Sequence, residues 1–304
     1  MDGVIVIDKP AGLTSHDVVA VSRRCLGEGR IGHTGTLDPM ATGVLPLVCG
    51  RATRLARFLT ASTKDYVALV RFGLSTDSCD ITGREVTKSG RCPTAGEIEA
   101  ALVSLRGEYL QEPPAFSAKK VAGQRAYALA RRQQPTTLTA VPVQVSRAEL
   151  TALDADTGTF ELTCSAGFYV RAFARTLGEL VGTGACLASL RRTRSGEFSL
   201  KQAVPISAVQ EETGQAARRA LIPMADLLTG MPFVLVTGDG RRRIAHGREL
   251  LTEHRLGEPP AAPAGSGQPG EKDAMWVRLL DESGTLLALA VKRQNVLHPS
   301  VVLI

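Results

Sequence analysis

The segment Gly32–Gly43, which reads GHTGTLDPMATG, constrains this chain more than any other stretch. It places one carboxylate, that of Asp38, among glycines, small hydroxyl residues and a histidine. Glycines let the backbone turn sharply and approach a ligand closely. A carboxylate in such a loop can be a nucleophile, a base or a metal ligand. It can also simply cap a helix, because Asp followed by Pro is a common helix start.

Other glycine-loop and metal-site patterns are missing from the sequence. It has no Gly-Lys-Ser/Thr of a phosphate-binding P-loop and no G-x-G-x-x-G at the start of a predicted helix. The 5 histidines never stand four residues apart, and the 6 cysteines form no C-x-x-C pair. We therefore expect no standard nucleotide site, no metal and no disulfide framework.

The glycine-rich segment resembles the catalytic motif of the TruB family of tRNA pseudouridine synthases. The resemblance implies that Asp38 is the catalytic aspartate and that Gly35 belongs to the structural part of the motif. Residues 8–17, DKPAGLTSHD, match the opening motif of the same family. The role that this match implies for Lys9 is structural, bracing the active-site sheet.

Further motifs of the same family follow in order along the chain. Residues 73–83, GLSTDSCDITG, resemble the Gly-x-x-Thr-Asp-x-x-Asp stretch, and Asp80 matches an active-site contact. Residues 167–171, GFYVR, match Gly-x-Tyr-x-Arg, so Tyr169 is implied in the substrate site and Arg171 as the arginine that pairs with the catalytic aspartate. Leu190 and the two arginines after it match the residues beside the uracil pocket. Judged by its own surroundings alone, Arg171 would be assigned to the surface.

The alternation of residues 66–72 predicts a strand that begins near Tyr66. From this pattern alone, Tyr66 is a core or edge aromatic residue. The family chemistry gives it a role: Tyr66 would stack on the uracil and accept the C5 proton. In the same scheme Leu190 packs against the other side of the base, and His33 fills the space left when the uridine flips out.

Basic residues predict a nucleic-acid partner. The chain carries a net charge of +6, and residues 111–135 mix prolines and glycines with lysines, arginines and two aromatic residues. The resemblance makes this stretch an insertion that clasps the T-loop of tRNA, with Lys119 and Arg125 as candidate contacts. The three arginines spaced by three residues over 51–57 form either a solvated face or a stripe that contacts phosphates.

The predicted fold class is α+β. The resemblance implies a pseudouridine synthase fold over residues 1–230, with a central mixed, mainly antiparallel sheet flanked by helices. Short strands at 233–236, 276–280, 286–291 and 300–304 indicate a second unit over 231–304. Its place in the chain resembles that of a PUA-like RNA-binding β-barrel, which a Pro/Gly/Ala-rich loop at 257–270 interrupts.

Pseudouridine formation requires no redox change and no energy input, so no cofactor is expected. The predicted reaction is the isomerisation of uridine 55 in the tRNA T-loop, with Asp38 attacking C6 or C1′ or assisting an elimination. Two rival functions stay open at this stage. One is a tRNA-folding chaperone of the same fold, and the other is a carboxylate-dependent RNA N-glycosidase.

No apolar run in the sequence approaches the length of a membrane span, and the apolar run near the N-terminus is too short for a signal peptide. We therefore expect a cytoplasmic protein without a membrane partner. Its partner is tRNA, through the T-loop and stem. We expect a monomer with no obligate protein partner.

Overall fold

The computed structural model describes residues 1–116, 138–211, 214–257 and 275–304, together with the backbone of 120–121 and 124–125. The strands in chain order are β1 Gly3–Lys9, β2 Ile31–His33, β3 Thr42–Cys49, β4 Lys64–Phe72, β5 Leu74–Thr76, β6 Glu85–Lys88, β7 Gly107–Gln111, β8 Lys120–Val121, β9 Gln124–Arg125, β10 Val141–Asp154, β11 Thr157–Cys164, β12 Ala185–Ser195, β13 Phe198–Ser199, β14 Val204–Pro205, β15 Ile222–Pro223, β16 Phe233–Val236, β17 Arg255–Leu256, β18 Met275–Leu280, β19 Leu286–Arg293 and β20 Val296–Val302. The helices are α1 Ser15–Leu26, α2 Ala56–Thr60, α3 Ala95–Leu102, α4 Val170–Leu180, α5 Ser207–Gln210, α6 Gln215–Arg219 and α7 Gly238–Ala245.

The central sheet follows the order β14-β1-β3-β12-β4-β11-β10-β7. Its pairings are antiparallel except for β1 with β14 and β3 with β12, which are parallel. The mixed, mainly antiparallel sheet predicted from the sequence is therefore confirmed. The residues of β1 are nearly all buried because its continuous apolar run is covered on both faces. Strand β4 alternates buried and half-buried positions, as its sequence predicts.

Two helices begin at caps that the sequence indicates, where Thr14 or Ser15 precedes the apolar face of α1 and Thr94 precedes that of α3. Thr14 caps α1 and Thr94 caps α3, and each has a reciprocal capping box, with Asp17 and Glu97 respectively. The Asp38-Pro39 pair, in contrast, starts no helix. It forms a turn in which Ala41 N–H donates to the Asp38 carbonyl at 3.0 Å. The simple capping alternative for Asp38 is therefore wrong.

The C-terminal strands form a separate five-stranded sheet in the order β17-β16-β18-β19-β20. The segment after α7 reaches both edges of this sheet, because Leu250 bridges Leu297 on β20 while β17 pairs with β16. The last strand begins at Val296, earlier than the predicted 300. The predicted loop at 257–270 falls, apart from Gly257, outside the described residues. The boundary between 230 and 231 stays a prediction.

Arginines of the 51–57 region join the two sheets. Arg51 Nη1 donates to the Leu303 carbonyl at 2.8 Å, and Arg54 Nη1 donates to the Val302 carbonyl. The guanidinium of Arg57 lies 5.1 Å from the centre of the Trp276 ring. All three arginines remain exposed beside these contacts, so the solvated face and the phosphate stripe both stay predictions.

Among the described residues, no helix has the length and apolar character needed to cross a membrane.

Candidate active site

Asp38 lies in the loop between β2 and β3, and the buried ammonium group of Lys9 braces this loop. Lys9 Nζ donates to the carbonyls of Pro10 at 2.8 Å, Leu13 at 2.6 Å and Pro39 at 3.2 Å. Three acceptors from two chain segments therefore meet at one cation next to Asp38. This geometry supports the structural role proposed for Lys9.

Burial lowers the pKa of Lys9 to about 8, and the nearby Asp38 carboxylate acts in the opposite direction. The side chain is completely buried. At neutral pH the ammonium form still predominates, so it can donate to all three carbonyls.

The guanidinium of Arg192 holds the other side of the same loop. Arg192 Nε donates to the Val44 carbonyl at 2.7 Å, and Nη2 donates to the Gly35 carbonyl at 3.0 Å. The backbone of Arg192 lies so close to position 43 that only glycine fits there. At Gly43 φ is +102°, and a Cβ would lie 2.1 Å from the Arg192 carbonyl oxygen. Gly35 thus contacts Arg192 through its carbonyl, and its structural role stays a proposal.

Arg171, the second residue of α4, holds both carboxylate oxygens of Asp38. Its Nε lies 2.8 Å from Oδ2 and its Nη2 lies 3.0 Å from Oδ1. The Arg171 side chain is 7% exposed, whereas that of Asp38 is 32% exposed. The arginine is therefore fixed inside the protein, while the carboxylate that it orients remains accessible from outside. Bidentate pairs of this kind fix direction as well as charge.

Two further acceptors fix the planar guanidinium of Arg171, whose two-point contact with Asp38 is called the Arg171 fork below. Its Nη1 donates to the Ser78 carbonyl at 3.1 Å, and its Nη2 also donates to the Phe116 carbonyl at 2.9 Å. Asp80 Oδ2 lies 3.7 Å from Nε and completes a buried Asp–Arg–Asp arrangement. The remaining oxygen of Asp80 accepts hydrogen bonds from the Ser78 hydroxyl and from Thr82.

Tyr66 and Leu190 lie on one face of neighbouring strands. Tyr66 on β4 pairs with Arg192 on β12, and Leu190 pairs with Ala68 two positions further along β4. Burial raises the pKa of Tyr66, and the Asp38 carboxylate also raises it. A hydrogen bond and the positive charge of Arg192 act in the opposite direction. The phenol is therefore protonated at neutral pH, next to the cation that would stabilise its phenolate.

His33 ends β2, and its Nδ1 accepts a hydrogen bond from the Gly35 N–H at 3.4 Å. Burial lowers the pKa of His33, and Arg192 and His16 act in the same direction. The imidazole is therefore neutral at pH 7. A neutral ring is suited to packing next to a base, although its role remains a proposal.

Tyr169 is the N-cap residue of α4, and its backbone forms two hydrogen bonds with the side chain of Gln111. Its contribution to substrate binding is not tested by these contacts. Lys119 and the side chain of Arg125 lie outside the described residues. The proposed RNA contacts of that insertion therefore stay predictions.

The sequence did not single out Gln111, and it treated Arg191 and Arg192 as equivalent. The structure separates the two arginines, because Arg192 is buried at the loop while Arg191 forms a half-exposed pair with Asp8 at 2.8 Å. Alternation along β12 offered a signal: Leu190 and Arg192 share one face, and Arg191 lies on the other. No comparable signal marked Gln111.

The site presents the oriented Asp38 carboxylate to a group that enters from solvent. Strands β4 and β12 place the buried phenol of Tyr66 and the side chain of Leu190 on one face of the sheet. Within the described ranges, no group of three or more His, Cys, Asp or Glu side chains is arranged to hold a metal ion.

Solved structures show the class of this protein. A chain of an archaeal box H/ACA sRNP Nop10–Cbf5 complex matches with a TM-score of 0.73 at 25% identity, covering 99% of this chain and 86% of that one. A chain of a Cbf5–Nop10–Gar1 complex matches with a TM-score of 0.74 at 24% identity, covering 99% of this chain and 85% of that one, and supports the fold alone. The fold is that of the pseudouridine synthases.

Sequence comparison shows the particular family. Residues 23–170 match the TruB family pseudouridylate synthase (N terminal domain), and residues 171–229 match the tRNA pseudouridylate synthase B C-terminal domain. A tRNA pseudouridine synthase B of Solibacter usitatus is 45% identical, with 100% of both chains covered. One of Gloeobacter violaceus is 42% identical, with 100% of this chain and 99% of the relative covered. The chain belongs to the TruB family.

Proposed function

We propose that this protein isomerises uridine 55 in the T-loop of tRNA to pseudouridine. The observation that carries the proposal is the fork between Arg171 and Asp38, which leaves the carboxylate partly exposed while orienting both of its oxygens. The family and the printed names of the relatives support the same reaction. As tRNA modification is the activity that these bacterial relatives are named for, we also propose that the protein acts in the cytoplasm.

In the proposed reaction, the N1–C1′ bond of the uridine breaks, the base turns, and a C5–C1′ bond forms. The C5 proton leaves and N1 gains one, so the atoms balance without a co-reactant. Asp38 supplies the ionised carboxylate for bond cleavage. Arg171 orients this carboxylate by donating to both of its oxygens.

Tyr66 is the proposed acceptor of the C5 proton and the surface on which the uracil stacks. Acting as a base requires the phenolate, which burial opposes and Arg192 favours. Leu190 packs on the other side of the base, and His33 fills the space that the uridine leaves. Extruding a base costs a few kcal/mol, and less from a loop than from a duplex.

Incubation with unmodified tRNA tests the proposal, followed by pseudouridine mapping and mass measurement of the RNA. We expect one new pseudouridine at position 55 and no change in RNA mass. A fall in mass by one base would instead identify an N-glycosidase. Refolding of tRNA without any pseudouridine, undiminished in an Asp38→Asn variant, would identify a chaperone.

A further inference from the structure

Gln111, at the end of β7, forms hydrogen bonds with the N-cap residue of α4, the helix that carries Arg171. Its Oε1 accepts a hydrogen bond from the Tyr169 N–H at 2.8 Å, and its Nε2 donates to the Tyr169 carbonyl at 3.1 Å. The side chain is buried, with 3% exposure for the residue. One amide therefore satisfies both backbone groups of Tyr169 in a place where water has little access.

The contact matters because α4 begins at Tyr169 without a side-chain cap of its own. The Tyr169 carbonyl also accepts the Phe173 N–H at 3.1 Å, the first hydrogen bond of the helix. Gln111 thus acts as a cap supplied by another strand. Arg171 lies two residues later, so the direction of its side chain depends on the direction of this first turn.

A second contact from the same segment reaches Arg171 directly. The Phe116 carbonyl accepts from Arg171 Nη2 at 2.9 Å, while that nitrogen also bonds Asp38. Among the described residues, the side chain of Glu112, the residue after Gln111, contacts Arg175 at 3.4 Å and is 59% exposed. Gln111 and the Phe116 carbonyl therefore contact α4 at or next to Arg171, whereas Glu112 contacts it one turn later at an exposed position.

We propose that Gln111 is a positioning residue for the reaction: it fixes the first turn of α4 so that Arg171 can hold both oxygens of Asp38. The inference rests on the proposed function and extends it to a residue whose side chain holds the backbone of Tyr169 and acts on the Arg171–Asp38 pair through it. Displacing a catalytic contact by about 1 Å can lower a rate by about a hundredfold.

The first test compares Gln111→Met, which keeps the side-chain size but loses both hydrogen bonds, with Gln144→Met, the same change at an exposed position of the neighbouring strand β10, as the matched control. With saturating tRNA, the single-turnover rate of Gln111→Met should fall by about tenfold to a hundredfold. Its tRNA affinity should stay within about twofold of wild type. Gln111→Glu keeps the contact to the Tyr169 N–H, so its rate should lie between those of Gln111→Met and wild type. Gln144→Met should match wild type.

A double-mutant cycle separates positioning from general destabilisation. If Gln111 acts through the Arg171 fork, Gln111→Met should change the rate by less than about threefold in an Arg171→Lys background, where the fork is already lost. An equal effect in both backgrounds would overturn the proposal. So would a wild-type rate for Gln111→Met.

Hydrogen exchange supplies a readout that does not depend on activity. Amides of residues 170–173 should exchange about tenfold faster in Gln111→Met, the change expected for one lost hydrogen bond, and at the wild-type rate in Gln144→Met. Unchanged exchange in Gln111→Met would overturn the inference even if the wild-type protein formed no pseudouridine. Absence of product with wild-type protein, together with faster exchange in the variant, would refute the proposed function alone.

Discussion

Arg192 and Tyr66 are register partners on the antiparallel strands β12 and β4, so the guanidinium and the phenol lie on the same face of the sheet. The same guanidinium donates to the Gly35 carbonyl, three residues before Asp38. Among the described residues, Arg192 forms no ion pair with a carboxylate, and it is 1% exposed. One buried cation therefore joins the proposed base to the loop of the proposed nucleophile.

Replacing Asp38 with Asn keeps the shape of the side chain and removes its charge. If Asp38 is the reacting carboxylate, the single-turnover rate should fall by at least about 10⁴-fold, as for a catalytic group that works as part of a unit. Binding of tRNA should stay within about twofold, because the loop remains braced by Lys9 and Arg192. Pseudouridine formation at more than a trace level would eliminate Asp38 as the nucleophile.

Tyr66→Phe keeps the ring and removes the group proposed to accept the C5 proton. We expect tRNA binding to persist and product formation to fall by about 10²- to 10⁴-fold, the range for loss of a general base. Filter binding and single-turnover assays on the same preparation measure the two quantities. Product at the wild-type rate would show that another group takes the proton.

Lys9→Met tests the buried ammonium through the pH dependence of stability. Because burial lowers the pKa of Lys9 in the folded protein to about 8, the unfolded chain holds its proton up to higher pH. The free energy of unfolding of wild type should therefore rise, relative to Lys9→Met, as the pH increases from about 8 to 10.5. The gain should reach up to about 3 kcal/mol.

Denaturant unfolding of both proteins at pH 7, 9 and 10 measures this difference. The variant should be the less stable protein even at pH 7, because three loop carbonyls lose their donor. Lys64, whose pKa burial also lowers to about 8, is present in both proteins and cancels from the comparison. A stability difference that does not change with pH would contradict the assignment.

Trp276→Ala tests the junction between the two sheets. The Trp276 ring lies 4.8 Å from that of Phe58 in an edge-to-face contact and also faces Arg57. Truncation should lower the free energy of unfolding by about 2–3 kcal/mol. Trp276→Phe should recover part of this loss, and the single-turnover rate should change by less than about twofold. Unaltered stability in the alanine variant would show that this contact does not join the two units.

Local sequence rules predicted much of the architecture. The caps at Thr14 and Thr94 and the strand at Tyr66 follow from hydrogen-bonding side chains and from the spacing of apolar residues, which act over a few neighbours, whereas the mixed sheet was implied by the family resemblance. The capping alternative for Asp38 was wrong because Lys9 and Arg192 hold the loop in a turn from a distance. Rules that depend on neighbouring residues cannot predict contacts between such distant segments.

The sequence by itself determined the periodic elements and, through the motifs around Asp38 and Arg171, the family to which the chain belongs. Only the tertiary structure decided that Arg171 is buried while its partner Asp38 stays partly exposed, and that Arg192 faces inward while Arg191 does not. It alone also assigned Gln111 to the cap of α4 and the 51–57 arginines to the second sheet. The physical reason is that hydrogen bonds between distant segments depend on how sheets and helices pack, whereas caps and strand alternation depend only on adjacent residues.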